Sequence, residues 1–101
     1  MKTEMCCDLD AFLRAMSDET RQRILSLVLE GEMSVTEIQE QLPVTQPTIS
    51  HHLAILRRAN LVSRRRIGKQ VMYRINPACV TECCSEILVR FQLMNFKPQK
   101  R

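Results

Sequence analysis

Only three residues, Pro43-Val44-Thr45, separate Leu42 from Gln46, and the chain reads as helix on both sides of them. Upstream, Ser34-Val35-Thr36-Glu37 has the spacing of a capping box, which predicts a short helix from about Val35 to Gln41. Pro43 ends it. Downstream, Thr45 can cap a second helix with Pro47 in its first turn, where a missing N–H is tolerated. A helix, a tight break and a helix form a helix-turn-helix pattern, which any helical hairpin can imitate, so the flanking segments decide what it means.

The helix after the break has two unlike faces. Ile49, Leu53 and Leu56 fall at i, i+4, i+7 and are expected to pack inward. Gln46, Thr48, Ser50, His51 and Arg58 point elsewhere, and most of them donate and accept hydrogen bonds. Asn60 can end the helix. Two β-rich runs follow, Leu61 to Ile67 and Val71 to Ile75, around Gly68-Lys69-Gln70, which reads as a hairpin with a basic tip. Asn76-Pro77 then caps a last helix running to about Phe96. Before the break, Leu9, Phe12, Leu13 and Met16 form the stripe of a short amphipathic helix that Asp8 can cap. Ser17-Asp18 restarts the chain. Ile24, Leu25 and Val28 give the next helix its inward face, and Gly31 stands where a helix stop is expected.

Charge gives this order its meaning. Residues 51–75 carry Arg57, Arg58, Arg64, Arg65, Arg66, Lys69 and Arg74 and no acid, whereas the first fifty residues are net acidic; the whole chain is +4. A solvated charged face usually mixes its signs, and the lack of carboxylates here points to a polyanionic partner. The major groove of duplex DNA admits one α-helix, whose early side chains reach base edges, and a basic hairpin beside it can meet phosphates. The fold expected is mainly α with a small β-hairpin: a winged helix-turn-helix of five helices and a two-stranded wing. Within a single domain of residues 1–101, residues 1–7 are an N-terminal extension, 35–60 the helix-turn-helix, 61–75 the wing, 76–96 the last helix and 97–101 a tail.

Size and composition narrow the alternatives. A chain of 101 residues, 45% hydrophobic and 26% charged, is one ordinary globular domain with a modest core, so burial shared with a second copy is expected. Apolar runs are far too short for a membrane span, and no export signal opens the chain, so a cytoplasmic protein is expected. No Ser/His/Asp grouping, phosphate-cradling glycine loop or paired-carboxylate site is visible, which argues against an enzyme. His51 and His52 are adjacent and cannot share a helix face, so they are not read as a metal pair; His52 shares the inward side with Leu53.

Five cysteines, Cys6, Cys7, Cys79, Cys83 and Cys84, are expected to be free thiols in a reducing compartment, and their odd number fits a closed disulfide framework poorly. On the last helix, Val80, Cys84, Ile87, Phe91 and Met94 repeat as an apolar seam, in which Cys84 serves packing as readily as ligation. Cys79 and Cys83 sit on its flank at i, i+4, with Cβ atoms about 5–6 Å apart. Convergent thiolates suit a soft, thiophilic ion, and trivalent arsenic or antimony is the natural candidate.

With these residues in view, Leu9 to Tyr73 resembles the ArsR/SmtB family of bacterial winged-helix metalloregulators. Ser17-Asp18-Glu19-Thr20-Arg21-Gln22-Arg23-Ile24-Leu25 is similar to its second-helix signature, and Gln46-Pro47-Thr48-Ile49-Ser50-His51-His52-Leu53 to its recognition-helix motif. Arg58-Ala59-Asn60-Leu61-Val62, Arg66-Ile67-Gly68-Lys69-Gln70 and Tyr73 match its helix end and wing. The resemblance implies a bacterial or archaeal homodimeric repressor, paired through its first and last helices, that leaves double-stranded operator DNA when an inducer binds. It places Gln46, Thr48, Ser50 and His51 near bases or adjacent phosphates, and Arg64, Arg65, Arg66 and Lys69 on phosphates.

The chain departs from two sensor sites of that family. Ser34 to Gln39 contains no Cys-x-Cys, and the last helix contains no histidine. Only the thiols remain, and in the family's dimer Cys6 and Cys7 could meet Cys79, Cys83 or Cys84 within a chain or across the interface. The inducer expected is As(III) or Sb(III), with Cd(II), Zn(II) or a cysteine redox or persulfide switch as alternatives.

Overall fold

Most helices of this chain begin at a side chain that replaces a missing intrahelical partner. In the computed structural model, which describes residues 7–93, Asp8 accepts from the Ala11 N–H at 3.2 Å and starts α1 (Leu9–Met16). Asp18 does the same for α2 (Glu19–Leu29), accepting from the Arg21 N–H at 3.0 Å. The capping box closes reciprocally at α3 (Val35–Gln41): Ser34 Oγ accepts from the Glu37 N–H at 3.1 Å, and Glu37 accepts from the Ser34 N–H at 2.8 Å. Asn76 starts α5 (Pro77–Arg90). The exception is α4 (Gln46–Arg58). Thr45 holds its N-cap position, but the Thr45 hydroxyl pairs with the Thr48 hydroxyl at 2.9 Å and makes no side-chain bond to the helix backbone.

The ends are equally specific. Asn60 takes a left-handed φ of 62°, the Asn60 N–H donates to Arg57 O and the Leu61 N–H donates to Leu56 O, closing α4 in a Schellman motif with apolar Leu56 and Leu61 beside it. The same motif closes α5 at Gln92, φ 56°, with Leu93 N–H on Leu88 O and Gln92 N–H on Val89 O. The last helix therefore stops at Arg90 rather than near Phe96, because a left-handed residue interrupts an apolar pattern that continues past it. Gly31 does not act as a left-handed stop; α2 ends at Leu29 with Glu30 still right-handed. The tail 97–101 and Met94 lie outside the described residues.

Strands β2 (Val62–Ile67) and β3 (Gln70–Ile75) pair antiparallel from Val62↔Ile75 to Ile67↔Gln70. Their loop is only Gly68-Lys69, with positive φ at Gly68 alone, the pattern of a type II′ turn with glycine first. A strand not expected from the sequence, β1 (Met33–Ser34), adds to the other edge of β3, giving the order β1-β3-β2. Two residues are too short for alternation to reveal.

The core lies between the helices and the base of the sheet. Ile24 and Val28 of α2, Ile38 of α3, Ile49, Leu53 and Leu56 of α4, and Leu61 and Val62 at the wing's root are closed to solvent or nearly so. On α1 the expected stripe is rotated: Phe12 and Ala15 are buried, Leu9 and Met16 are half-buried, and Leu13 is 50% exposed. Replacing Ser34 with Ala removes one arm of the capping box and is expected to cost about 1 kcal/mol in a urea denaturation curve; an unchanged midpoint would contradict this account of α3.

Candidate nucleic-acid interface and thiol cluster

Burial of Ile49, Leu53 and Leu56 leaves one orientation for α4. Gln46, Thr48, Ser50, His51 and Arg58 are all exposed. The first four lie in the N-terminal half of the helix, where a recognition helix meets base edges. The Thr48 hydroxyl is held by Thr45, which fixes its rotamer while leaving it at the surface. Arg58 sits at the far end of α4, opposite the buried stripe.

Alternation along β2 divides the three consecutive arginines. Arg64 and Arg66 stand across from Tyr73 and Val71, on the face that carries Val62 into the core. Arg65 stands across from Met72, on the opposite face. There it meets Glu32, which immediately precedes β1: Arg65 Nε donates to Oε2 and Nη2 to Oε1, both at 2.7 Å. The block of positive charge is thus not wholly uncompensated, because a carboxylate from outside it comes back across the sheet. Glu32's carboxyl is held below its ordinary 4.5, first by the hydrogen bond from Arg65 and further by the Arg65 and Arg74 charges. Arg65 is correspondingly raised. Arg64, Arg66 and Lys69 remain exposed at the outer wing.

The sulfur atoms are placed differently from the sequence expectation. α5 turns Cys79 and Cys83 inward, 1% and 0% exposed, while Cys84 and Phe91 of the expected seam are exposed and Val80 and Ile87 half-buried. Cysteine packs as a small hydrophobe, so an aliphatic pattern does not reveal which cysteines face the core. Nor are the thiols all free. Cys7, one residue before the α1 cap, is disulfide-bonded to Cys83 with a Cα–Cα separation of 5.4 Å. Cys79 is disulfide-bonded as well, and its Sγ accepts from Asn76 Nδ2 at 3.3 Å. Cys84 is a free, exposed thiol. Cys6 lies outside the described residues. A bridge spanning 76 positions removes much denatured-chain entropy, about 4.5 kcal/mol by loop closure. Among the described residues no three His, Cys, Asp or Glu side chains form a group placed to hold a metal ion; disulfides occupy Cys7, Cys79 and Cys83, three of the sulfurs that the sequence offers as ligands.

A two-faced helix whose exposed half is polar, set beside a cationic hairpin, defines a winged helix-turn-helix DNA-binding protein. Residues 18–64 match the family described as bacterial regulatory protein, arsR family. Over 75 residues the chain is 36% identical to the transcriptional repressor SdpR of Bacillus subtilis, covering 74% of this chain and 83% of that one. It is 43% identical over 65 residues to the arsenic resistance transcriptional regulator ArsR1 of Pseudomonas putida, covering 63% of this chain and 51% of that protein. Its fold is similar to an ArsR-like transcriptional regulator from Rhodococcus, with a TM-score of 0.76, 29% identity, and coverage of 84% and 79% of the two chains. The chain belongs to the ArsR family of transcriptional regulators, which are not enzymes. No helix among the described residues is long and apolar enough to cross a membrane.

The Glu32–Arg65 pair has a defined pH window. A carboxyl lowered on folding contributes in full above 4.5, and the contribution is lost as pH falls through the lowered value. The Arg65 Nε–H resonance is therefore expected to hold its position from neutral pH down to 4.5 and to move only below it. Movement that is complete above 4.5 would contradict the pairing.

Proposed function

We propose that this chain is a homodimeric repressor that holds double-stranded operator DNA through α4 and the wing and releases it when its thiols change state. The observation that carries this reading is spatial: Gln46 of α4 and Lys69 of the wing line one cavity, whose lining contains no cysteine, and the Cys7–Cys83 bond joins the N-terminal segment to α5. A signal at the sulfurs must therefore act through the arrangement of helices. Leu13 of α1, Leu88 and Val89 of α5 and Phe91 at its C-cap are exposed large apolar side chains, which supports pairing of two copies through these helices. Two recognition helices then need a fixed separation of about 34 Å to meet successive major grooves, and a change at the α1–α5 contact alters that separation.

Two inducer chemistries use these sulfurs. Oxidation is favoured by the Cys7–Cys83 bond: two thiols lose two protons and two electrons to an oxidant such as a peroxide, and one S–S bond forms. The metalloid reading is supported by Cys79, one helical turn before Cys83 on the same buried face, so that reduction would offer Cys7, Cys79 and Cys83 together to As(III) or Sb(III). It is supported also by the likeness to a regulator named for arsenic resistance. Fully reduced protein on a labelled duplex, titrated in turn with hydrogen peroxide, arsenite, antimonite, Cd(II) and Zn(II), separates them. Oxidative sensing predicts about 5- to 150-fold weaker binding with peroxide that a dithiol reverses. Metalloid sensing predicts release by arsenite or antimonite without oxidant. DNA binding indifferent to all five would overturn the thiol switch.

The wing makes a separate prediction. Arg66→Ala should reduce the magnitude of the log–log salt slope of DNA binding by about 0.9, the value for one phosphate contact. Arg65→Ala, whose guanidinium Glu32 already holds, should change that slope much less. Equal effects of the two substitutions would contradict the division of the wing's arginines.

A further inference from the structure

Arg21 is on the first turn of α2, yet the bonds of its side chain leave that helix. Nε donates to the Ala15 carbonyl at 2.7 Å and Nη2 to the Arg14 carbonyl at 3.2 Å. Both acceptors are in the last turn of α1, where i+4 partners are missing; the Arg14 carbonyl also accepts from the Ser17 hydroxyl at 2.7 Å. The remaining arm, Nη1, lies 3.1 Å from Nδ1 of His52 on α4. A single guanidinium thus joins α1, α2 and α4, and on α4 it grips the residue next to exposed His51, whose ring centroid is 5.9 Å from that of His52.

We propose that Arg21 is a positioning residue for DNA reading: by holding His52 against the end of α1 it fixes the rotation of α4 and so aims Gln46, Thr48, Ser50 and His51 at the groove. This rests on the reading of α4 as the recognition helix. His52 is half-buried between the helices and acts through the orientation it imposes. Small rotations matter here. A side-chain tip rides about 5–6 Å from the helix axis, so turning α4 by about 10° moves it roughly 1 Å, enough to break a base-edge hydrogen bond.

The contact also prescribes a protonation state. A guanidinium has no acceptor, so Nδ1 of His52 must accept and the ring proton must sit on Nε2, leaving the imidazole neutral. The charged groups facing His52 are Asp18 at the α2 cap, Arg21 itself and His51. Burial first, with Arg21 and His51 adding to it, outweighs Asp18 and holds His52 below its ordinary 6.5. The sign follows: the Arg21–His52 contact is fully present above 6.5 and is lost as pH falls through the lowered value.

The test uses the full chain, a duplex selected by the wild-type protein from a random-sequence pool, and a scrambled duplex of equal length. Arg21→Lys keeps the charge but not three directed donors. It is expected to weaken binding to the selected duplex about tenfold, the scale of one lost charge-assisted hydrogen bond, and to leave the scrambled duplex and the salt slope unchanged. His52→Asn places an oxygen acceptor where Nδ1 stood and cannot titrate. It should keep selectivity at pH 7.5 and abolish the fall in selectivity that the wild type shows as the pH is lowered below 6.5 and through the value at which His52 charges. His52→Leu, lacking an acceptor, should lose selectivity at both. If Arg21→Lys fails to fold, the two His52 variants decide the matter. Equal weakening on both duplexes by folded Arg21→Lys, or an acid loss that survives in His52→Asn, would overturn the proposal. A wild-type protein that selects no duplex would overturn the recognition-helix reading with it, at the first step.

Discussion

The complete burial of Ile49, Leu53 and Leu56 is the constraint on which the remaining architecture depends. These side chains fix α4 against α2 and α3, and a helix fixed on one side has no choice about what it shows on the other. Gln46, Ser50 and His51 face outward because their neighbours cannot. The Schellman closure at Asn60 then redirects the chain within two residues, and Leu61 and Val62, both buried, root the wing in the same core. Helix α4 and the hairpin are therefore held at a fixed relative position by one continuous apolar contact.

Electrostatics refines what packing sets. Three arginines in a row suggest a single basic surface, but strand alternation sends Arg65 to the opposite face from Arg64 and Arg66. There a bidentate contact with Glu32 ties β2 to the segment leading into β1. Arg65 is thus tied to the segment before β1, and Arg64, Arg66 and Lys69 stand exposed on the outer hairpin. Arg21 divides its bonds in a comparable way between the end of α1 and α4. In both cases a residue that composition would count as surface charge spends its donors within the protein.

Much of this was legible in the sequence where a local rule has a single outcome. The capping box at Ser34 and Glu37, the helix end at Asn60, the inward trio of α4 and the basic hairpin are each fixed by neighbours a few residues apart. What escaped depends on distant partners. β1 exists only because β3 supplies its hydrogen bonds. The compensation of Arg65 comes from a carboxylate 33 positions away. The inward turn of Cys79 and Cys83 and the bond from Cys83 to Cys7 need the docking of α1 on α5, which periodicity cannot report. The end of α5 at Arg90 was hidden because Gln92 carries no mark of the left-handed conformation it adopts.

The central claim is that the outward half of α4 and the outer wing are the surfaces that touch DNA. Photo-crosslinking to a bromouracil-substituted duplex, with the attached peptides mapped by mass spectrometry, tests it most directly. The account predicts adducts within residues 46–51 and 64–69 and none on α5. Adducts concentrated on α1 or α5, with α4 and the wing untouched, would contradict it.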